Sequence, residues 1–218
     1  MAKIGGTLDI FDVKGNTEGK KFVVETIFAR KARKQDLDKN QCDLVIGSLL
    51  GDGYLVKTTR GYAFRVNHGP AQKDYVDWTY SIVKNLVNSP PRFAERCYYF
   101  RTVSHPFFDE LHEQFYSVRK KIVPCDLIEK HLNPFILAVW IMDDGSKDWG
   151  QLRINSQSFS EDENLFLRDL LQAKLGIITT LNRDKSQYRL RVSSDSMEAL
   201  KRLTLPYIIP SMLYKLLP

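Results

Sequence analysis

The chain has 218 residues, 43% hydrophobic and 27% charged, a globular composition that excludes an intrinsically disordered protein. A formal net charge of +6 favours a polyanionic partner without requiring one. No apolar run approaches the ~20 residues of a membrane span and the polar start has no signal-peptide core, so the expectation is a soluble intracellular protein with no membrane partner.

Three cysteines (Cys42, Cys97 and Cys125) are widely spaced without a Cys-x-x-Cys, which supports neither a disulfide framework nor a zinc site. The four histidines (His68, His105, His112 and His131) also lack metal-ligand spacing and read as structural or surface residues.

In chain order, residues 1–40 form an N-terminal extension of unassigned structure, rich in turn signals such as Gly5-Gly6 and Gly15-Asn16. Its basic cluster Arg30, Lys31, Arg33 and Lys34 fits either a DNA-touching arm or a solvated helix face. A first unit, residues 41–124, opens with a helix from Asp43, its N-cap, to Gly51, and closes on GSLLGDG at 47–53. Residues 54–59 and 62–67 alternate as a hairpin about Arg60-Gly61, and residues 74–86 carry apolar side chains at the helical period. Pro90-Pro91 stops that helix, a second hairpin fills 92–103, and Pro106 opens another helix.

A second unit, residues 125–218, repeats this order. Its first helix ends on LAVWIMDDG at 137–145, followed by a strand at 150–157 and a helix at 162–175 stopped by Gly176. A hairpin of 179–182 with 188–193 and a last helix from Ser196 complete it. The run Phe64-Arg65-Val66-Asn67 matches Leu152-Arg153-Ile154-Asn155, and Arg101 matches Arg191. The interval from Asp52 to Arg101 is 49 residues and from Asp144 to Arg191 is 47, as expected of a diverged internal duplication. The expected fold is therefore α+β: two pseudo-symmetric αββαββα units packed through their motif helices.

Small residues at Gly47 and Gly51 put a flat stripe on one helix face. If the motif helices lie parallel about a pseudo-twofold axis, Asp52 and Asp144 meet at one end, against the negative poles of both helices. One Asp-Gly alone is commonly just a helix stop. Two copies in a duplicated chain point to a divalent-cation site of oxygen ligands and to phosphodiester hydrolysis.

The pair GSLLGDG and LAVWIMDDG resembles the single-chain LAGLIDADG homing endonucleases with two motifs, of the group I intron-encoded type. The resemblance covers residues 43–218 and includes a lysine near the end of each unit, Lys121 and Lys215. It implies that Asp52 and Asp144 hold Mg²⁺ (or Mn²⁺), with the carbonyls of Gly51 and Asp143 as further ligands. It implies that Lys121 and Lys215 stabilise charge on the phosphate or orient the attacking water. Two positions depart from the pattern: Asp143 stands where a small residue is usual, and Val139 where glycine is common, which predicts looser or offset helix packing there.

The resemblance also implies β-saddles facing DNA through Arg65, Asn67 and Arg101 in one unit and Gln151, Arg153, Asn155, Arg189 and Arg191 in the other. Independently, alternation places Gln151, Arg153 and Asn155 on one face, and such side chains pair with guanine and adenine edges in the major groove. The expected activity is a monomeric double-strand DNA endonuclease acting on a long asymmetric site and leaving 3′ overhangs. Two alternatives stand beside it, an RNA maturase that binds intron RNA and a catalytically silent DNA-binding regulator. Both an organelle and a prokaryotic cytoplasm fit such a protein.

Overall fold

The computed structural model describes residues 25–217; the earlier part of the N-terminal extension lies outside the described residues. Helix α1 (Ile27–Ala32), capped by the Thr26 hydroxyl, carries Arg30 and Lys31 of the basic cluster, with Arg33 as its C-cap and an ion pair from Arg33 to Glu25 at 3.7 Å. That cluster therefore begins on a helix.

Helix α2 (Lys39–Leu50) starts at Asp38, not at Asp43. Asp38 accepts from the Gln41 backbone while the Gln41 side chain accepts from the Asp38 backbone, a capping box that satisfies two otherwise orphaned N–H groups. Asp43 is instead buried inside the helix, where it accepts from Lys39 and, at 2.8 Å, from Asn133.

The first repeat continues with β1 (Tyr54–Thr58), β2 (Gly61–His68), α3 (Lys73–Val83), β3 (Arg92–Ala94), β4 (Cys97–Arg101) and α4 (Pro106–Phe115). A two-stranded ribbon, β5 (Tyr116–Ser117) with β6 (Lys120–Lys121), and helix α5 (Cys125–His131) lead to the second repeat. That repeat comprises α6 (Pro134–Asp144), β7 (Gly145–Asp148), β8 (Gln151–Ile154), α7 (Glu161–Leu175), β9 (Thr179–Asp184), β10 (Gln187–Val192) and α8 (Met197–Thr204). Tight 3-10 turns at Leu205–Tyr207 and Pro210–Lys215 follow. The strand expected at 150–157 is shorter, because the chain turns after Asn155, where the Ser156 N–H donates to the Ile154 carbonyl at 2.9 Å.

The two sheets have the same order, β1-β2-β4-β3 and β7-β8-β10-β9, with every pairing antiparallel. Register confirms the duplication: Arg65 lies opposite Arg101 in one sheet, and Arg153 opposite Arg191 in the other. Leu55, Phe64, Val66 and Phe100 fill the inner face of the first sheet, and Leu152, Ile154, Leu190 and Val192 that of the second. The chain is thus α+β, with two αββαββα units packed through their motif helices.

Helix α6 is buried from Ile136 to Asp143, the pattern of a central helix covered on all sides. Asn133 caps it and Pro134 occupies its first turn. It runs parallel to α2: Asn133 meets Asp43 at one end, and Gly51 meets Asp143 at the other. A Cβ on Gly47 would lie 2.8 Å from both the Ile136 carbonyl oxygen and Val139 Cβ, so the two backbones approach closely. The expected looseness at Val139 is absent, since this side chain occupies the space that Gly47 leaves.

Gly47→Ala would gain ~1 kcal/mol of helix propensity. The collision with a backbone carbonyl and Val139 is expected to outweigh that gain, for a net loss of about 1–2 kcal/mol measurable by urea unfolding. A more stable variant would show that the helices do not touch there.

Candidate active site and nucleic-acid interface

Each acid is presented by a tight exit from its helix. The backbone N–H groups of Gly51 and Gly53 both donate to the Ser48 carbonyl, which turns the chain so that Asp52 projects outward. Asp144 is the last residue of α6; the Gly145 N–H donates to the Ile141 carbonyl, a spot where any Cβ would strike that same oxygen. The Asp144 carbonyl accepts from the Asn155 backbone at 3.0 Å and its side-chain amide at 2.9 Å.

The lysines occupy matched places. Lys121 Nζ donates to the carbonyls of Gly51 (2.7 Å) and Gly53 (2.8 Å). Lys215 Nζ donates to those of Asp143 (2.8 Å) and Met142. A lysine at a helix C-terminus satisfies exposed carbonyls and the macrodipole, and by itself would be only a cap. Here both ammonium groups also act on Asp52, Asp143 and Asp144. They place positive charge on the two carbonyls, Gly51 and Asp143, expected to face a cation.

The electrostatics are those of crowded carboxylates. Burial, then Asp52 and Asp143, push the Asp144 carboxyl up to about 8. Burial and Asp143 raise Asp52, which is itself partly exposed. Burial lowers both lysines, against the pull of the acids.

Asp143 is completely buried, and its side chain crosses to the first unit. One carboxylate oxygen accepts from the Ser48 hydroxyl at 3.0 Å; the other lies 3.5 Å from His68 Nε2, and among the described residues neither of those last two atoms has a hydrogen-bond partner. Asp52, His68 and Asp143 offer ligand atoms all within 4.8 Å of one another. An orphaned buried carboxylate oxygen of Asp143 and the orphaned His68 Nε2, beside the partly exposed Asp52 carboxylate at the other helix C-terminus, fit a divalent cation. Spacing in the sequence assigned His68 a structural role. Its partnership with Asp143 depends on the strand β2 ending beside a different unit's helix, which no local pattern reveals.

On the outer faces, Arg65 lies over the Tyr99 ring at 4.4 Å, Arg101 is exposed, and Asn67 points the same way by register. In the second sheet Gln151, Arg153, Arg189 and Arg191 share the outer face, but Arg153 pairs with Asp148 and Arg189 with Asp184. Asn155, expected on that surface, is tied to the Asp144 carbonyl and accepts from Arg189 at 3.3 Å, so it links the face to the acid centre. Cys42, Cys97 and Cys125 are free thiols, and among the described residues no helix is long and apolar enough to cross a membrane.

A twofold-repeated chain whose parallel helices deliver two aspartates to one centre, where a lysine from the β5–β6 ribbon and one from the last 3-10 turn cap the helix ends, between two antiparallel sheets with basic outer faces, defines a pseudo-dimeric scaffold built around a shared acid site. The LAGLIDADG DNA endonuclease family matches residues 42–200, and the chain belongs to that family. It is 32% identical over 196 residues to a cytochrome b mRNA maturase bI2 of Debaryomyces hansenii, covering 83% of this chain and 74% of the relative. It is 30% identical over 197 residues to "Probable intron-encoded endonuclease 1" of Wickerhamomyces canadensis, covering 83% and 85%. Its structure resembles that of the homing endonuclease I-WcaI bound to its DNA recognition sequence, with TM-score 0.82, 28% identity and coverage of 90% of this chain and 95% of that one.

The raised Asp144 sets a pH dependence. The folded, metal-free protein binds this proton more tightly than the unfolded chain, so its stability is penalised progressively as pH rises from about 4 through about 8. In EDTA at pH 8, Asp144→Asn is expected to raise Tm by several degrees, and near pH 4 to change it little. Equal effects at both pH values would remove the assignment.

Proposed function

We propose that the chain is a sequence-specific double-strand DNA endonuclease of the homing type, dependent on Mg²⁺ with Mn²⁺ as a substitute, acting as a monomer. The observation that carries this reading is the matched constellation: Asp52 and Asp144 at the ends of parallel helices, with Lys121 and Lys215 on the equivalent carbonyls of Gly51 and Asp143. Each unit in this reading cuts one strand, and the two cuts leave 3′ overhangs.

Asp52 and Asp144 would hold divalent cations, with the Gly51 and Asp143 carbonyls, which accept from Lys121 and Lys215, as further ligands. A bound cation supplies Lewis-acid polarisation of the phosphate and a more acidic water. The protein's own contribution is positional. The carboxylates fix where positive charge gathers, and the ammonium groups of Lys121 and Lys215 face the phosphate as negative charge develops on its oxygens. The sheets hold the duplex in register: Arg65, Asn67 and Arg101 approach one half-site, and Gln151, Arg153, Arg189 and Arg191 the other. Asn155 reaches both the backbone of the acid centre and Arg189, and so couples base reading to the position of Asp144.

The relative named as a maturase supports a second reading, in which the chain also binds intron RNA and assists its splicing. A silent DNA-binding regulator has no use for two intact acid–lysine pairs.

Incubation with a library of intron-insertion-type duplexes should give a double-strand product with Mg²⁺ and none with EDTA. Asp52→Asn and Asp144→Asn should each reduce cutting of one strand by at least about a hundredfold and convert the product to a nick. Unimpaired cutting of both strands in either variant would refute the paired-centre reading.

A further inference from the structure

The two sheets superpose by register yet hold their arginines in different ways. Strands β1 to β4 contain no acidic residue, and among the described residues Arg65, Arg92 and Arg101 have no carboxylate within ion-pair distance. Tyr99 holds two of them instead: Arg65 lies over its ring at 4.4 Å, Arg92 at 5.5 Å, and Arg92 Nε donates to its hydroxyl at 3.0 Å. The second sheet holds its arginines with acids, at positions where the first has Val56 and Ala94. Because Arg65 corresponds to Arg153 and Arg101 to Arg191, Val56 corresponds to Asp148 and Tyr99 to Arg189. Asp148 pairs with Arg153 and lies 3.4 Å from Arg191, so one carboxylate spans two arginines that stand directly opposite each other. Asp184 pairs with Arg189 and accepts from Gln157 at 3.4 Å.

The physical consequences differ. An arginine on an uncompensated face attracts any phosphate, and each such contact adds roughly one unit to the salt dependence of binding regardless of sequence. An arginine paired with a carboxylate loses much of that attraction, while its remaining N–H groups keep a more fixed orientation and need less ordering when they meet a base edge. A carboxylate beside it also penalises an approaching phosphate, which weakens wrongly registered complexes.

We propose that Asp148 and Asp184 are positioning residues for specificity: they orient Arg153, Arg191 and Arg189 toward base edges and suppress sequence-blind phosphate binding at the second half-site. The first sheet, held by Tyr99, supplies the larger share of the non-specific affinity. This inference rests on the DNA-endonuclease reading above.

The test selects bound duplexes from a pool carrying a long randomised segment, with the full chain in EDTA so that nothing is cut. Wild type should enrich one asymmetric sequence. Asp148→Asn and Asp184→Asn should lose discrimination in one half of that sequence only. Each should also bind the unselected pool several-fold more tightly, with a salt slope steeper by about one unit. Val56→Asp, which places the acid in the first sheet, should weaken binding to the unselected pool. Thermal unfolding should be unchanged in the Asn variants, whereas a purely structural role would lower Tm and leave the selected sequence intact. Full discrimination in both halves with an unchanged salt slope overturns this inference and leaves the endonuclease reading standing. If wild type enriches no sequence, both fall.

Discussion

The close parallel approach of α2 and α6 is the constraint from which the rest of the molecule follows. It is made by glycines on one side only: Gly47 receives Val139 and Gly51 receives Asp143. Because the helices are parallel, both C-termini point to the same place, and each chain exit carries an aspartate into it. An antiparallel pair with the same contacts would separate the acids by the length of a helix. The position of the sheets follows as well, since β1 and β7 leave directly from the two helix ends and set both saddles in equivalent relation to the acids.

The same geometry concentrates negative charge where two helix dipoles already end, and the protein offsets this in unequal ways. Lys121 and Lys215 cap equivalent carbonyls in the two units, so this compensation is symmetric. Asp143 breaks the symmetry. It occupies the place of Gly51, and its carboxylate is accommodated by Ser48 and His68, both from the other unit. By the alignment of the repeats, Ser48 corresponds to Trp140 and His68 to Ser156, whose hydroxyl donates to Asn164, so the pair that accommodates Asp143 has no counterpart in the second unit. The extra acid and its partners are thus a single change distributed across the pseudo-axis.

Much of this architecture was legible in the sequence because it depends on periodicity and repetition. The matched arginines at Arg65 and Arg153, and at Arg101 and Arg191, fixed the alignment of the units, and the register of both sheets agrees with it. What was not legible depends on partners remote in sequence or on weak local signals. The helix start moved to Asp38 because Gln41 completes a capping box there, while Asp43, an equally good cap by type, is drawn inside by Asn133. The polar strand β7 carries no apolar alternation and exists because β8 pairs with it. His68 showed nothing in its spacing, since its neighbours at the centre, Asp143 and Asp52, lie far away along the chain.

Crowded carboxylates make the centre costly to the metal-free fold and receptive to a cation for the same reason. With Asp144 pushed up to about 8 by burial and its acidic neighbours, the metal-free centre retains a proton at neutral pH. On the proposed reading a divalent cation held by Asp144 would have to displace it, which would link cation affinity, proton release and fold stability through one carboxyl group. Placing the lysines on the backbone carbonyls lets the centre tolerate its acids without neutralising the carboxylates themselves. Direct lysine–carboxylate pairs would stabilise the resting fold further, but a cation would then compete with an ammonium at the carboxylates as well as at the Gly51 and Asp143 carbonyls. The carbonyl contacts give up part of that stability and keep the acid oxygens available.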